Sequence, residues 1–190
     1  MKRRTVTTLI MVLVAIGTWQ LGHGAWIYVK AQLAQYLLQH AWARTMNGER
    51  NVKPWTWADT WPVARLQAAN YGVSLIVLAG ASGRTLAFGP AVVNDEIGTD
   101  LSGTIVISGH RDTHFQFLQK LNDGDELLIE QPGQPDRAYR VTETQVIDGR
   151  TTGIVNDPDH DRLLLVTCYP FDAIIPGGPL RYVVTAEKLE

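Results

Sequence analysis

The sequence predicts a mainly β domain, closed or nearly closed into a barrel with one or two short helices, preceded by a helix able to cross a membrane. Three observations point there. Beyond residue 63, short β-branched apolar runs alternate with turn-forming glycine, proline, asparagine and aspartate. Few helical patterns interrupt them, which argues against a doubly wound α/β fold. The N-terminal stretch, by contrast, is long and nearly uncharged. A chain of 190 residues suits one domain plus an appendage, and 45% hydrophobic residues suffice for a real core.

The appendage comes first. Lys2, Arg3 and Arg4 precede Thr5 to Val29, where only His23 can carry charge. Three basic residues before an apolar span favour a cytoplasmic N-terminus and an exported remainder. Trp19, Trp26 and Tyr28 suit the outer interface belt. No convincing small-x-small cleavage site comes right after the apolar centre at Leu9 to Ile16, and Ala31 to Ala34 lies late, so an uncleaved anchor is favoured over a signal peptide. Ala31 to Thr45 continues as a helical stalk, with Leu33, Leu37, Leu38 and Trp42 at helical spacing. Asn47 to Pro54 is a polar linker, and Trp55, Trp57 and Trp61 could pack the stalk on the domain, sit at the bilayer surface or hold a partner, packing being the favoured reading. The expected division is 1–30 anchor, 31–62 stalk and Trp-rich linker, and 63–190 barrel domain.

Charge divides at the same place. Residues 1–50 carry six basic side chains and one acidic, a net +5; the rest carries eleven basic and eighteen acidic, a net −7. An acidic outer domain argues against nucleic acid or an anionic bilayer surface as its main partner.

Within the domain, Val73–Leu78 and Thr85–Phe88 read as a hairpin about Gly80-Ala81-Ser82-Gly83. Gly103–Ser108 is a buried strand, and His114–Leu121 one or two helical turns. Glu126–Gln131 and Ala138–Ile147 are strands joined by a Pro-Gly-Gln-Pro turn. Gly149–Asp161 is a long polar loop. Leu163–Thr167 and Arg181–Glu187 are the last strands.

Three strand ends carry chemistry. His110 follows the Gly103–Ser108 strand directly after Gly109, and an imidazole can take or give a proton near neutrality. Cys168 ends the Leu163 strand and is the only cysteine, so an internal disulfide is excluded. It is either a small core hydrophobe or a nucleophile; a thiol beside an imidazolium or guanidinium ionises more readily. Arg181 opens the final strand. If that strand neighbours the cysteine strand, its guanidinium can sit near the thiol and steady an oxyanion.

Taken together, Gly109-His110, Leu165-Val166-Thr167-Cys168 and Arg181 resemble the sortase family, over about residues 60 to 190. The family's cysteine motif usually reads Thr-Leu-x-Thr-Cys; Leu164 replaces its first threonine. His110-Arg111-Asp112-Thr113-His114-Phe115 and Pro54 to Pro62 look most like the Gram-negative class. The resemblance implies an eight-stranded barrel and a sortase-type cysteine transpeptidase, with Cys168, His110 and Arg181 as catalytic residues. Cys168 attacks the threonine carbonyl of an LPXTG-like sorting signal, His110 moves protons, and Arg181 steadies substrate or oxyanion. The implied partners are an exported protein bearing that signal and an amine-bearing acceptor. The implied protein is a monomer, single-pass in the inner membrane, with its catalytic domain on the periplasmic side. No cofactor is expected.

Phe88, Phe115, Tyr169 and Phe171 are candidates to line an apolar peptide groove, core packing being the alternative for at least half. His114 reads as a cap or surface residue. His160 with Asp157, Asp159 and Asp161 lacks the spacing of an EF-hand loop and reads as a solvated turn, so no metal is expected. The rival functions are an exported cysteine endopeptidase using water, and a non-enzymatic membrane-anchored binding barrel. An L,D-type transpeptidase should carry histidine and glycine before its cysteine, where Val166-Thr167 stands.

Overall fold

The computed structural model describes residues 2–93, 101, 103–152, 160–175 and 177–189. The chain divides into two units, Met1–Leu37 and Leu38–Glu190. Helix α1, Lys2–Met46, contains no proline, so no backbone donor is missing along it. In the first unit its apolar side chains face outward on every side: Leu9, Ile16 and Trp19 are 58%, 53% and 75% exposed. A helix apolar all round belongs in a bilayer or a protein core. Among the described residues it is the one helix long and apolar enough to cross a membrane.

In the second unit the end of α1 becomes amphipathic. Leu38, Ala41 and Trp42 are buried, and Leu38 and Trp42 join Ile76, Leu78 and Ala91 in one cluster with Trp55 and Phe88 at its margin. The Trp55 and Phe88 rings meet edge-on, their centroids 4.8 Å apart, and the Arg65 guanidinium lies over Trp42 at 5.3 Å. Trp61 packs on the main core, whereas Trp57 stays 83% exposed.

Eight strands close the barrel: β1 (Pro62–Ala68), β2 (Val73–Ala79), β3 (Ala91–Val92), β4 (Ile105–Ser108), β5 (Glu126–Glu130), β6 (Arg137–Asp148), β7 (Arg162–Cys168) and β8 (Leu180–Lys188). Their order around the barrel is β1-β2-β3-β4-β7-β8-β6-β5. This is the mainly β, eight-stranded fold expected. Side-chain alternation explains its two faces. Leu66, Val77, Ile105, Ile107, Leu127, Ile129, Leu163, Leu165 and Val184 point inward into one core. The opposite parity on β2, Ile76 and Leu78, meets α1. The opposite parity on β4, β7 and β8 forms a separate outer cluster of Val106, Val166 and Val183, flanked by Ile147 and Leu164.

Thr85–Phe88 is not a return strand. Residues Gly83–Leu86 form a one-turn helix, α2, because the Ser82 hydroxyl accepts from the Thr85 N–H and caps it. That local hydrogen bond outweighs the β propensity of Thr85, which is buried. The chain then lays β3 parallel to β2, pairing Leu78 with Ala91, so this connection is a crossover rather than a hairpin. The short helix expected at His114–Leu121 is a 3₁₀ helix, Gln116–Lys120, burying Phe117 and Leu118.

Candidate active site

Strand register pairs Cys168 with Arg181, and His110 lies just past the end of the neighbouring strand. β7 and β8 are antiparallel, and Cys168 lies directly opposite Arg181. One residue on, the Tyr169 N–H donates to the Leu180 carbonyl at 3.0 Å. Hydrogen-bonded and non-bonded pairs alternate along such a ladder, so Cys168 and Arg181 form a non-bonded pair, the kind whose Cα atoms approach to about 4.5 Å. Both share the outer face with Val166 and Val183.

His110 arrives from the other side. β4 runs parallel to β7 with Ser108 beside Val166, and the ladder extends one residue further, Gly109 N–H donating to the Val166 carbonyl at 3.1 Å. His110 comes next, directly after this last ladder bond, at the end of the strand adjacent to the cysteine strand. His110 is exposed and Cys168 half-buried. The thiol is thus not sealed in the core.

The residues before these two do structural work that the sequence alone did not reveal. The buried Thr167 hydroxyl donates to the Gly109 carbonyl at 2.7 Å, tying the end of the cysteine strand to the end of the histidine strand. Gly109 passes over the Phe115 ring so closely that an added Cβ would lie 2.8 Å from it. Phe115 is fully buried and cannot retreat. Gly109→Ala is therefore expected to cost about 1–3 kcal/mol through overpacking and to lower activity by shifting His110. Urea unfolding alongside a turnover assay checks both; an unchanged midpoint would show that the ring can yield.

Arg181 is held from behind. Its Nη1 donates to the Gly178 and Leu180 carbonyls at 2.7 and 2.9 Å. Its stem lies over Gly149, where a Cβ would sit 3.3 Å from the Arg181 Cγ. Asp148 is held down to about 2, chiefly by hydrogen bonds from Arg150, with the charge of Arg181 adding to the effect. Asp148 therefore stays a carboxylate across the physiological range, within electrostatic reach of Arg181.

The aromatic candidates separate. Phe115 belongs to the core, and Phe88 packs beside Trp55. Tyr169 and Phe171 follow Cys168 and group with Tyr182, ring centroids 5.2–6.3 Å apart. Beyond them Ile174 and Ile175 are 96% and 82% exposed.

His114 is half-buried, and Thr113 Oγ1 lies 3.3 Å from its Nδ1. Burial pushes its pKa below the ordinary 6.5, and the positive charge of His110 adds to the shift. The folded protein therefore binds this proton less readily than the unfolded chain does. Stability should fall as pH drops from about 6.5 through the lower folded value. His114→Gln is expected to flatten that slope, measured by urea unfolding at pH 7.5 and pH 5.5; an equal slope in both proteins would exclude it.

Of the acidic loop, Asp157 and Asp159 lie outside the described residues. Asp161 is paired with Lys188 at 2.8 Å, and the His160 carbonyl accepts from the Thr104 hydroxyl. Among the described residues no group of three or more histidine, cysteine, aspartate and glutamate side chains is arranged to hold a metal ion.

Comparison with known proteins shows the family. Residues 66–189 match the model of the sortase domain family. The chain is 30% identical over 126 residues to sortase D of Bacillus subtilis (strain 168), a match covering 65% of this chain and 62% of that protein. The crystal structure of sortase C-1 from Actinomyces oris superposes with a TM-score of 0.59 at 26% identity, covering 68% of this chain and 74% of that one. The Clostridium perfringens sortase D5 transpeptidase shares the fold, with a TM-score of 0.64 at 20% identity over 84% of this chain and 99% of that one. The chain belongs to the sortase family.

Proposed function

We propose that this protein is a membrane-anchored sortase of the Gram-negative class, in which Cys168, His110 and Arg181 carry out transpeptidation. The observation that supports the reading is the arrangement of strand ends: Cys168 pairs with Arg181 on β8, and His110 follows the end of β4, the strand on the other side of β7. A nucleophile, a proton carrier and a cation close to one another are what acyl transfer through a thioester needs.

The Cys168 thiolate attacks the threonine carbonyl of an LPXTG-like signal. The scissile C–N bond breaks as His110 protonates the departing amine, leaving a thioacyl enzyme. An incoming amine then attacks the thioester, His110 takes its proton, and the C–S bond breaks to release the thiolate. Arg181 steadies the oxyanion or the substrate beside it. Ile174 and Ile175, both exposed on the segment after Cys168, offer apolar surface to the leucine and proline of the signal. Residues 1–30 serve as the anchor, 31–62 as stalk and linker, and 63–190 as the catalytic barrel. The barrel works as a monomer on the periplasmic side of the inner membrane.

A fluorescent sorting peptide, incubated with and without an amine, tests the reading. An amine-linked product supports transfer. If the amine alters neither product nor rate, the protein is a thiol protease using water.

A further inference from the structure

A second arginine stands at the junction of the two catalytic turns. Arg111 follows His110 and is only 7% exposed. Arginine is rarely buried so deeply unless its donors are matched, and here they are. Nε and Nη2 reach the two carboxylate oxygens of Asp112, at 2.8 and 3.4 Å. Nη1 donates to the Pro170 carbonyl and Nη2 to the Ala173 carbonyl, the latter at 3.0 Å. Both carbonyls belong to the turn that begins one residue after Cys168.

The fork geometry of a guanidinium suits this task, since it satisfies acceptors in two directions from one rigid plane. Asp112 alone would need only a surface pair. Two carbonyls from a segment 59 and 62 residues away make the side chain a tie between the histidine turn and the cysteine turn. The Asp112 hydrogen bond raises the guanidinium's hold on its proton, and the charges of Cys168 and Asp172 add to it. Arg111 and a Cys168 thiolate therefore lie within electrostatic reach of each other.

We propose that Arg111 is a positioning residue for Cys168: it ties the turn after the cysteine to the turn after His110 and keeps a permanent positive charge beside the thiol. The idea deepens the transpeptidase reading but its test does not depend on it. The other charged groups in this region are His110 after β4, Arg181 paired with Cys168 on β8, and Asp112 and Asp172 on the two turns, which act on Arg111 itself. They stay the same in every variant below.

The experiment is alkylation of Cys168 by iodoacetamide at pH 7 in the full chain in detergent micelles, with amide hydrogen exchange of Tyr169–Ala173. Arg111→Met is expected to slow alkylation at least about fivefold, because a positive charge that favours the thiolate is gone. Loosening of the turn alone would expose the thiol and speed labelling, so slowing is the diagnostic sign. Arg111→Lys is expected to label within about twofold of the wild type, since it keeps the charge. Its turn should nevertheless exchange at least about fivefold faster, because an ammonium cannot hold Asp112 and both carbonyls in one plane. Labelling by folded Arg111→Met that is unchanged or faster overturns the proposal. Should that variant not fold, unchanged exchange in Arg111→Lys overturns it. Neither readout uses a sorting peptide, so failure of the peptide assay counts against transfer and not against Arg111.

Discussion

Cys168→Ala is expected to abolish peptide cleavage and transfer, with a rate loss of at least about 10⁴-fold. Removing the nucleophile of a covalent mechanism leaves only binding and electrostatic stabilisation. The fold should survive. Cys168 is half-buried at a strand end, its Sγ is not part of the main core, and its backbone pairing with Arg181 does not depend on the side chain. The free energy of unfolding should change by no more than about 1 kcal/mol. Mass spectrometry of wild-type protein with a slow peptide should trap an adduct on Cys168 that the variant lacks. A binding barrel without catalysis would keep its function in Cys168→Ala, so retention of function there would end the enzyme reading.

The second large effect is at Arg181. Arg181→Ala is expected to lower kcat by about 10²–10³-fold, the usual cost of losing a donor to a developing oxyanion. Arg181→Lys should recover only part of this. A lysine keeps the charge but cannot bond the Gly178 and Leu180 carbonyls while presenting further donors across the strand pair. A loss confined to KM in both variants would assign Arg181 to ground-state binding rather than to the transition state. Steady-state kinetics over a range of peptide concentrations separates the two.

Much of the barrel was legible because its strands are local patterns. Leu163–Thr167 and Ala138–Ile147 are dense in β-branched residues and bounded by turns, and their observed limits differ from the expected ones by a residue at most ends. The misreading at Thr85–Phe88 arose where one side-chain hydrogen bond from Ser82 decided the local structure. Strand β3 was not legible at all. Two residues, Ala91–Val92, carry no periodicity, and they become a strand only because β2 and β4 stand on either side.

The site divides in the same way. Gly109-His110, Thr167-Cys168 and Arg181 stand at the ends of apolar runs, and the residue types alone name a proton carrier, a nucleophile and a cation. The buried side chains that hold them are of ordinary surface type. Nothing in the order His110-Arg111-Asp112 marks Arg111 for burial, because its carbonyl partners lie on a turn about sixty residues away. Likewise the need for glycine at 109 comes from Phe115 folding back beneath it.

What the sequence determined by itself was the chemistry available and the strand ends that bear it, since side-chain identity and short-range periodicity are local properties. Only the tertiary structure decided that these ends meet. The parallel pairing of β4 with β7 joins segments far apart in the chain, and parallel strands cannot be joined by a tight turn. Their register is set by which faces must be buried when the barrel closes. That closure brings the end of the His110 strand beside the Cys168 strand and sets Arg181 opposite Cys168, and it buries Arg111 between the turns that follow the first two.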